Sequence, residues 1–270
     1  VLANDTDAND DLISILSVSD PPRGTAVLGS DRITYTPDPD FLGTDSFTYT
    51  IRDHEQAQST ATVSITVRKP VLTTLAVTKD AYLREGAPNT NEGGSTFLRV
   101  RESGDNAALV AFDLAGQDLT RLLSATLRLT IRETGDNWGT GRLIRAHRML
   151  WGWLEGNGFQ SSGNVQGTGS GATWSCDADP DISNQTSECI VEWDGGKYAA
   201  STSQGFVITN GMTGEVSFDV TLDVKAGAIF GWLVRKEDES ASGRIEFQSR
   251  EAGPGLGARL ILGGIADGNG

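Results

Sequence analysis

The 270-residue chain is poor in the residues that usually announce chemistry: two cysteines, two histidines, two methionines and no long apolar run. Two cysteines without CxxC spacing make a poor zinc site. His54 and His147 have no GxSxG-type serine to serve, and neither an HExxH helix nor a phosphate loop is present. These absences argue against an enzyme. No stretch approaches the ~18 apolar residues of a spanning helix, so membrane insertion is not expected. Positive charge is scarce too, with 22 Lys+Arg against 36 Asp+Glu and a net charge of −14. The deficit is shared: residues 1–70 carry 11 acids against 5 bases, and the remainder 25 against 17. Neither part has the basic footprint of a nucleic-acid binder. Long helical periodicity is missing as well. Short alternating runs of Thr, Val, Ile and Leu recur instead, which is the pattern of an all-β protein. With no leader before Val1, the chain reads as a mature product or a fragment of a longer secreted polypeptide.

Residues 1–69 read as one small domain. The opening VLANDTDANDD is dense in Asn and Asp, which form Asx-turns and can also ligate calcium. Strands are expected at 12–18, 24–28 and 32–36, and Pro37 and Pro39 close the third because proline cannot donate to a ladder. DSFTYTIR at 45–52 alternates, with Phe47, Tyr49 and Ile51 on one face. STATVSITV at 59–67 does the same with Ala61, Val63, Ile65 and Val67. The VLANDTD, ITYTPDPDFLGTDSFTYTIRD and STATVSITV elements together resemble the bacterial cadherin-like or Ig-like repeat of surface proteins. That resemblance implies an Ig-like sandwich with its first strand missing, a spacer or adhesive role, and calcium in the acidic loops at Asp5, Asp7, Asp10, Asp11 and Asp53. An absent first strand would leave an unpaired edge.

Arg68-Lys69-Pro70 marks a boundary, and residues 70–264 form the second domain. Its expected strands are 75–77, 81–84, 97–101, 107–113, 124–132, 143–150, 206–208, 215–220, 229–235, 244–248 and 258–262. Eleven strands imply a two-sheet jelly-roll sandwich. In the fifth, Leu127, Leu129 and Ile131 face inward. DAYLREGAPNTNEGG opens this domain, and its first strand is expected beside 258–262. Turn oxygens of this stretch suggest an ion site from Asp80, Asn89, Asn91 and Glu251. The alternative is that the asparagines bond their own turn.

Residues 151–198 interrupt the strand rhythm, and a loop this long is usually functional or irregularly folded. The stretch is rich in Gly and Ser, yet it holds four of the six tryptophans. Aromatic faces on such a loop suit sugar stacking. Trp151, Trp153, Trp193 and Tyr198 are the candidates, with Arg145 and Arg148 to pair with uronate carboxylates. The alternative is that the rings fill a small core under the loop. Cys176 and Cys189 have twelve residues between them. A disulfide there would suit an exported protein, and two free thiols is the other reading.

The order DAYLREGAPNTNEGG, FLRV, ALVAFDL, ATLRLTI, WDGGKY, VSFDVTLDV, FGWLVRK, IEFQSREAGPGLGARLIL resembles the DNRLRE domain of secreted bacterial and archaeal proteins over residues 75–263. Some members of that family are classed as carbohydrate-binding modules on enzymes acting on alginate and other acidic polysaccharides, so the resemblance implies a glycan-binding alternative. The expected protein is therefore an extracellular structural or adhesive surface protein. Its partners would be polysaccharide or copies of itself, joined head to tail by strand addition. The glycine-rich tail, 265–270, is the expected linker or donor. A polysaccharide-binding module with an Ig-like spacer is the alternative, and a fragment of a secreted polysaccharide-active enzyme the second.

Overall fold

The computed structural model describes residues 2–29, 32–101, 106–135, 137–159, 165–184, 186–189, 192–200, 203–237 and 242–264. The chain divides into two compact units, Val1–Pro70 and Val71–Gly270. The protein is all-β, built of sandwiched sheets.

In the first unit, strands β1 (Ser14–Val18), β4 (Gly43–Arg52) and β5 (Gln58–Val67) form an antiparallel sheet in the order β1-β4-β5. β2 (Gly24–Leu28) and β3 (Ile33–Pro37) form a separate ribbon. The period-2 pattern of β4 buries Phe47 and Tyr49, and Phe47 stacks on Tyr35 across 6.5 Å. Asp45 is also buried, where Oδ2 accepts from Arg23 N and the Tyr35 hydroxyl, each at 3.0 Å. In β5, Val63, Ile65 and Val67 are half-buried while Ala61 stays exposed. Among the described strands β5 pairs with β4 alone.

The second unit contains β6 (Val71–Ala76), β7 (Lys79–Arg84), β8 (Phe97–Arg101), β9 (Asn106–Ala111), β10 (Leu122–Gly135), β11 (Arg142–Arg148), β12 (Phe206–Ile208), β13 (Glu215–Asp219), β14 (Trp232–Lys236), β15 (Arg244–Gln248) and β16 (Arg259–Gly264). One short helix, α1 (Thr221–Lys225), follows β13. β10 is the hinge of the architecture. Its first half pairs with β16 on one side and β13 on the other. Beyond a register shift at Ile131/Glu133 it pairs with β15 instead. A bulge of this kind bends a strand and lets it serve two sheets. One sheet is therefore β6-β16-β10-β13. The other runs β12-β11-β14-β9-β8-β15-β10, with β7 on β9.

The sandwich core lies between these sheets. Leu127, Leu129 and Ile131 of β10 meet Leu98, Val100, Val110, Trp232, Val234, Ile245 and Phe247 there. A second apolar cluster lies apart from it: Ala81, Leu83, Ala107, Leu109, Ala111, Met149 and Leu233 pack against Trp153, Ala172 and Trp193 of the insert. β9 thus contributes alternate residues to both clusters, and every one of its six residues is buried. The expected pairing of β7 with the last strand is not formed. β7 lies antiparallel to β9, Lys79 opposite Ala111, and β16 is taken up by β10 and β6. The tail at 265–270 lies outside the described residues.

Candidate functional site

Three carboxylates from three remote segments converge in the second unit. Asp80 belongs to β7, Glu155 to the insert, and Glu251 to the short 3₁₀ turn after β15. Each offers an oxygen, and the three oxygens lie within 4.8 Å of one another. This is the single group of three or more potential metal-binding side chains among the described residues.

The chain around the site fixes it closely. The Asp80 amide donates to Glu155 Oε1 at 2.6 Å, and the Arg250 amide donates to Asp80 Oδ2 at 2.9 Å. The Arg250 guanidinium grips Glu155 from two directions, Nε to Oε1 at 2.8 Å and Nη2 to Oε2 at 2.5 Å. Its Nε also lies 2.9 Å from Glu251 Oε1. Lys79 Nζ donates to the Trp153 carbonyl at 2.7 Å and stands over that indole. Two oxygens are left over. Asp80 Oδ1 and Glu251 Oε2 are both buried and have no hydrogen-bond donor.

Desolvation dominates the electrostatics here, because burial penalises the charged form of an acid or a base alike. Asp80 is 1% exposed; burial pushes its carboxyl up to about 8, and repulsion from Glu251 and Glu155, with a hydrogen bond its protonated form makes to Glu251, adds to this against the Arg250 amide's pull. Burial also raises Glu155 although Arg250 opposes it, and it lowers the Lys79 ammonium.

Asn89 and Asn91, expected at the ion site with Asp80 and Glu251, spend their side chains on hydrogen bonds to the insert. Asn91 is 1% exposed and fully engaged. Its amide donates to the carbonyls of Glu155 and Ala172, each at 2.7 Å, and its Oδ1 accepts from the Gly93 and Gly158 amides. Asn89 Oδ1 accepts from the Ser175 hydroxyl at 3.1 Å. Both side chains therefore anchor the insert to the 86–95 turn. The approach is so close that a Cβ on Gly93 would lie 2.1 Å from the Glu155 carbonyl. Glu155 carries almost no signal in the sequence, lying between tryptophans and glycines. Its one signal was a lone acid inside WGWLEGNG.

In the acidic loops of the first unit, the described carboxylates mostly bond nearby turn amides. Asp7 Oδ1 accepts from the amides of Asn9 and Asp11, Asp53 Oδ1 from Ala57, and Asp5 Oδ2 from the Tyr49 hydroxyl. Asp10 takes a left-handed turn conformation at φ 61°. No three of Asp5, Asp7, Asp10, Asp11 and Asp53 converge among the described residues.

The expected sugar residues separate into two groups. Trp193 is fully buried and Trp153 is 3% exposed, and each indole N–H is spent on a backbone carbonyl. Neither ring can stack on a sugar, because both fill the cluster under the insert. Trp151 remains 43% exposed. Tyr198 is half-buried, with its ring 5.0 Å from His147 and its hydroxyl bonded by Arg235. His147, Tyr198, Arg235, Lys236 and Glu237 line an open cleft of about 240 Å³. Arg145, beside it, reaches Ser203 O and Glu237, while Arg148 reaches Ala226 O at 3.4 Å. Cys176 and Cys189 are joined as a disulfide inside the insert.

Fold and site together define an all-β protein of two units, the larger carrying an insert stapled across one face. The family model of the bacterial Ig domain matches residues 1–66. No curated protein sequence matches the chain.

Proposed function

We propose that the chain belongs to an extracellular bacterial surface protein, non-enzymatic, in which an Ig-type unit accompanies a DNRLRE-type sandwich with a structural or adhesive role. The match of the bacterial Ig domain to residues 1–66 carries this reading. The disulfide in the insert supports it, since such bonds persist in oxidising compartments. Joining of copies by strand addition belongs to the same reading, because among the described strands β6 is bonded on one side only, to β16, and β5 likewise to β4. Surface biotinylation of intact cells of the source organism tests the location. Labelling with the impermeant reagent is expected, and recovery solely in the unlabelled cytosolic fraction would refute the reading. Light scattering across a concentration series tests assembly, with a constant monomer mass counting against it.

A second reading is binding of acidic polysaccharide. The grouping of Arg145, Arg235, His147 and Tyr198 around the 240 Å³ cleft favours it. Trp151 supplies an exposed ring nearby in sequence. Arginine forks suit uronate carboxylates, and tyrosine offers a stacking face. Affinity electrophoresis in gels containing alginate or a neutral glucan tests this. Retardation by alginate that is lost in Arg235→Ala is expected, and equal mobility in all gels counts against it.

A further inference from the structure

We infer that Asp80, Glu155 and Glu251 bind one divalent cation of the calcium type, and that the ion fastens the insert to the sandwich. The inference is independent of adhesion or glycan binding.

The first observation is chemical. The three groups offer oxygen alone, the ligand that hard cations prefer, and neither imidazole nor thiol joins them. The second observation is the pair of orphans. Asp80 is 99% buried by its 1% exposure, and its Oδ1 has no donor, nor has the buried Oε2 of Glu251. A buried carboxylate oxygen without a partner is costly, so such an atom calls for a counter-charge or a proton. A proton shared by Asp80 and Glu251 would satisfy those two. It would leave Glu155 held by the Asp80 amide and Arg250 alone, whereas a cation engages all three carboxylates.

The third observation is support and access. Amides of Asp80 and Arg250 and the Arg250 guanidinium hold the carboxylates in place, as outer groups do around a metal. Glu251 and Arg250 also line an open groove of about 390 Å³, bounded by Thr74, Ala76, Val77 and the 253–259 turn. That groove gives an ion a way in and leaves room for the water ligands calcium commonly retains. The positive charges facing the site are Arg250 and Lys79, two against three carboxylates.

The consequence is mechanical coupling. β7, the insert and the turn after β15 would share one ion, so its removal should loosen the insert before the sandwich.

The test uses the full chain stripped with chelator. Calcium is titrated calorimetrically, and terbium luminescence sensitised by tryptophan serves as a second probe, Trp153 lying two residues before Glu155. One equivalent of calcium is expected, with a melting-temperature rise of about 5–10 °C at a hundredfold excess over Kd. Glu251→Gln, at a half-buried position, should weaken binding at least tenfold. It should also abolish most of the terbium signal. Should Glu251→Gln misfold, calcium protection of the insert amides against hydrogen exchange in the unmodified chain decides instead. No calcium uptake at millimolar concentration overturns the inference. So does uptake unchanged in a folded Glu251→Gln chain, which would locate the ion elsewhere and leave Asp80 and Glu251 as a proton-sharing pair.

Discussion

The side-chain amide of Asn91 donates to the backbone carbonyl of Glu155 at 2.7 Å, across 64 positions of sequence. The same side chain closes three further hydrogen bonds, to Ala172, Gly93 and Gly158. A buried amide used in all directions is an organising point, and removing it leaves several backbone groups unpaired. Asn91→Ala is expected to destabilise the second unit by about 3–5 kcal/mol. Asn91→Asp should be no milder, because it sets a carboxylate oxygen against two carbonyls. Urea unfolding followed by tryptophan fluorescence measures both, and a loss below ~1 kcal/mol for either would contradict the account.

The tryptophans of the insert should divide sharply. Trp153→Ala and Trp193→Ala remove rings from a packed cluster and should each cost about 3–5 kcal/mol. Trp151→Ala, at an exposed position, should stay within about 0.5 kcal/mol. Equal losses for all three would mean that the insert does not pack as described.

Reduction of the Cys176–Cys189 bond should act on the insert. The bond spans 13 residues, and opening a loop of that size costs about 3 kcal/mol in the chain-entropy account. Hydrogen exchange of the paired Cys176 and Glu192 segments should accelerate in reductant. Amides of β10 should exchange as before.

Acid sensitivity should involve Asp219. The hydroxyl and then the amide of Thr221 hold its carboxyl below the usual range. A folded value depressed below the unfolded one means that the stabilisation is present above the unfolded value, about 3.9, and is lost as pH falls through the folded value. Asp219→Asn should therefore flatten the acid limb of stability below about pH 4. Urea midpoints from pH 2.5 to 6 test this, and parallel curves for the two chains would exclude the contribution.

Strand positions were legible because alternation is a local signal. Leu127, Leu129 and Ile131 read inward from the sequence, and they are buried. The dual membership of β10 was not legible, since the bulge at Ile131/Glu133 leaves the alternating letters unchanged while redirecting the pairing. β9 carries a signal of its own. NAALVA has no polar alternation, and a strand apolar on both faces needs two covers. The Trp-rich insert is the second cover, which is why Trp153 and Trp193 are core residues. The carboxylate cluster was half visible. Asp80 and Glu251 stood out as acids at the two ends of the unit, but their convergence with Glu155 depends on tertiary contacts that no spacing encodes.

Val71 and Gly264 are opposed partners in the β6–β16 ladder. The described part of the larger unit, residues 71–264, therefore begins and ends at one corner, with its first and last strands hydrogen-bonded side by side. Tension between those two residues would open the ladder rung by rung, from Val71 and Gly264 towards Ala76 and Arg259, because the load falls on one pair at a time.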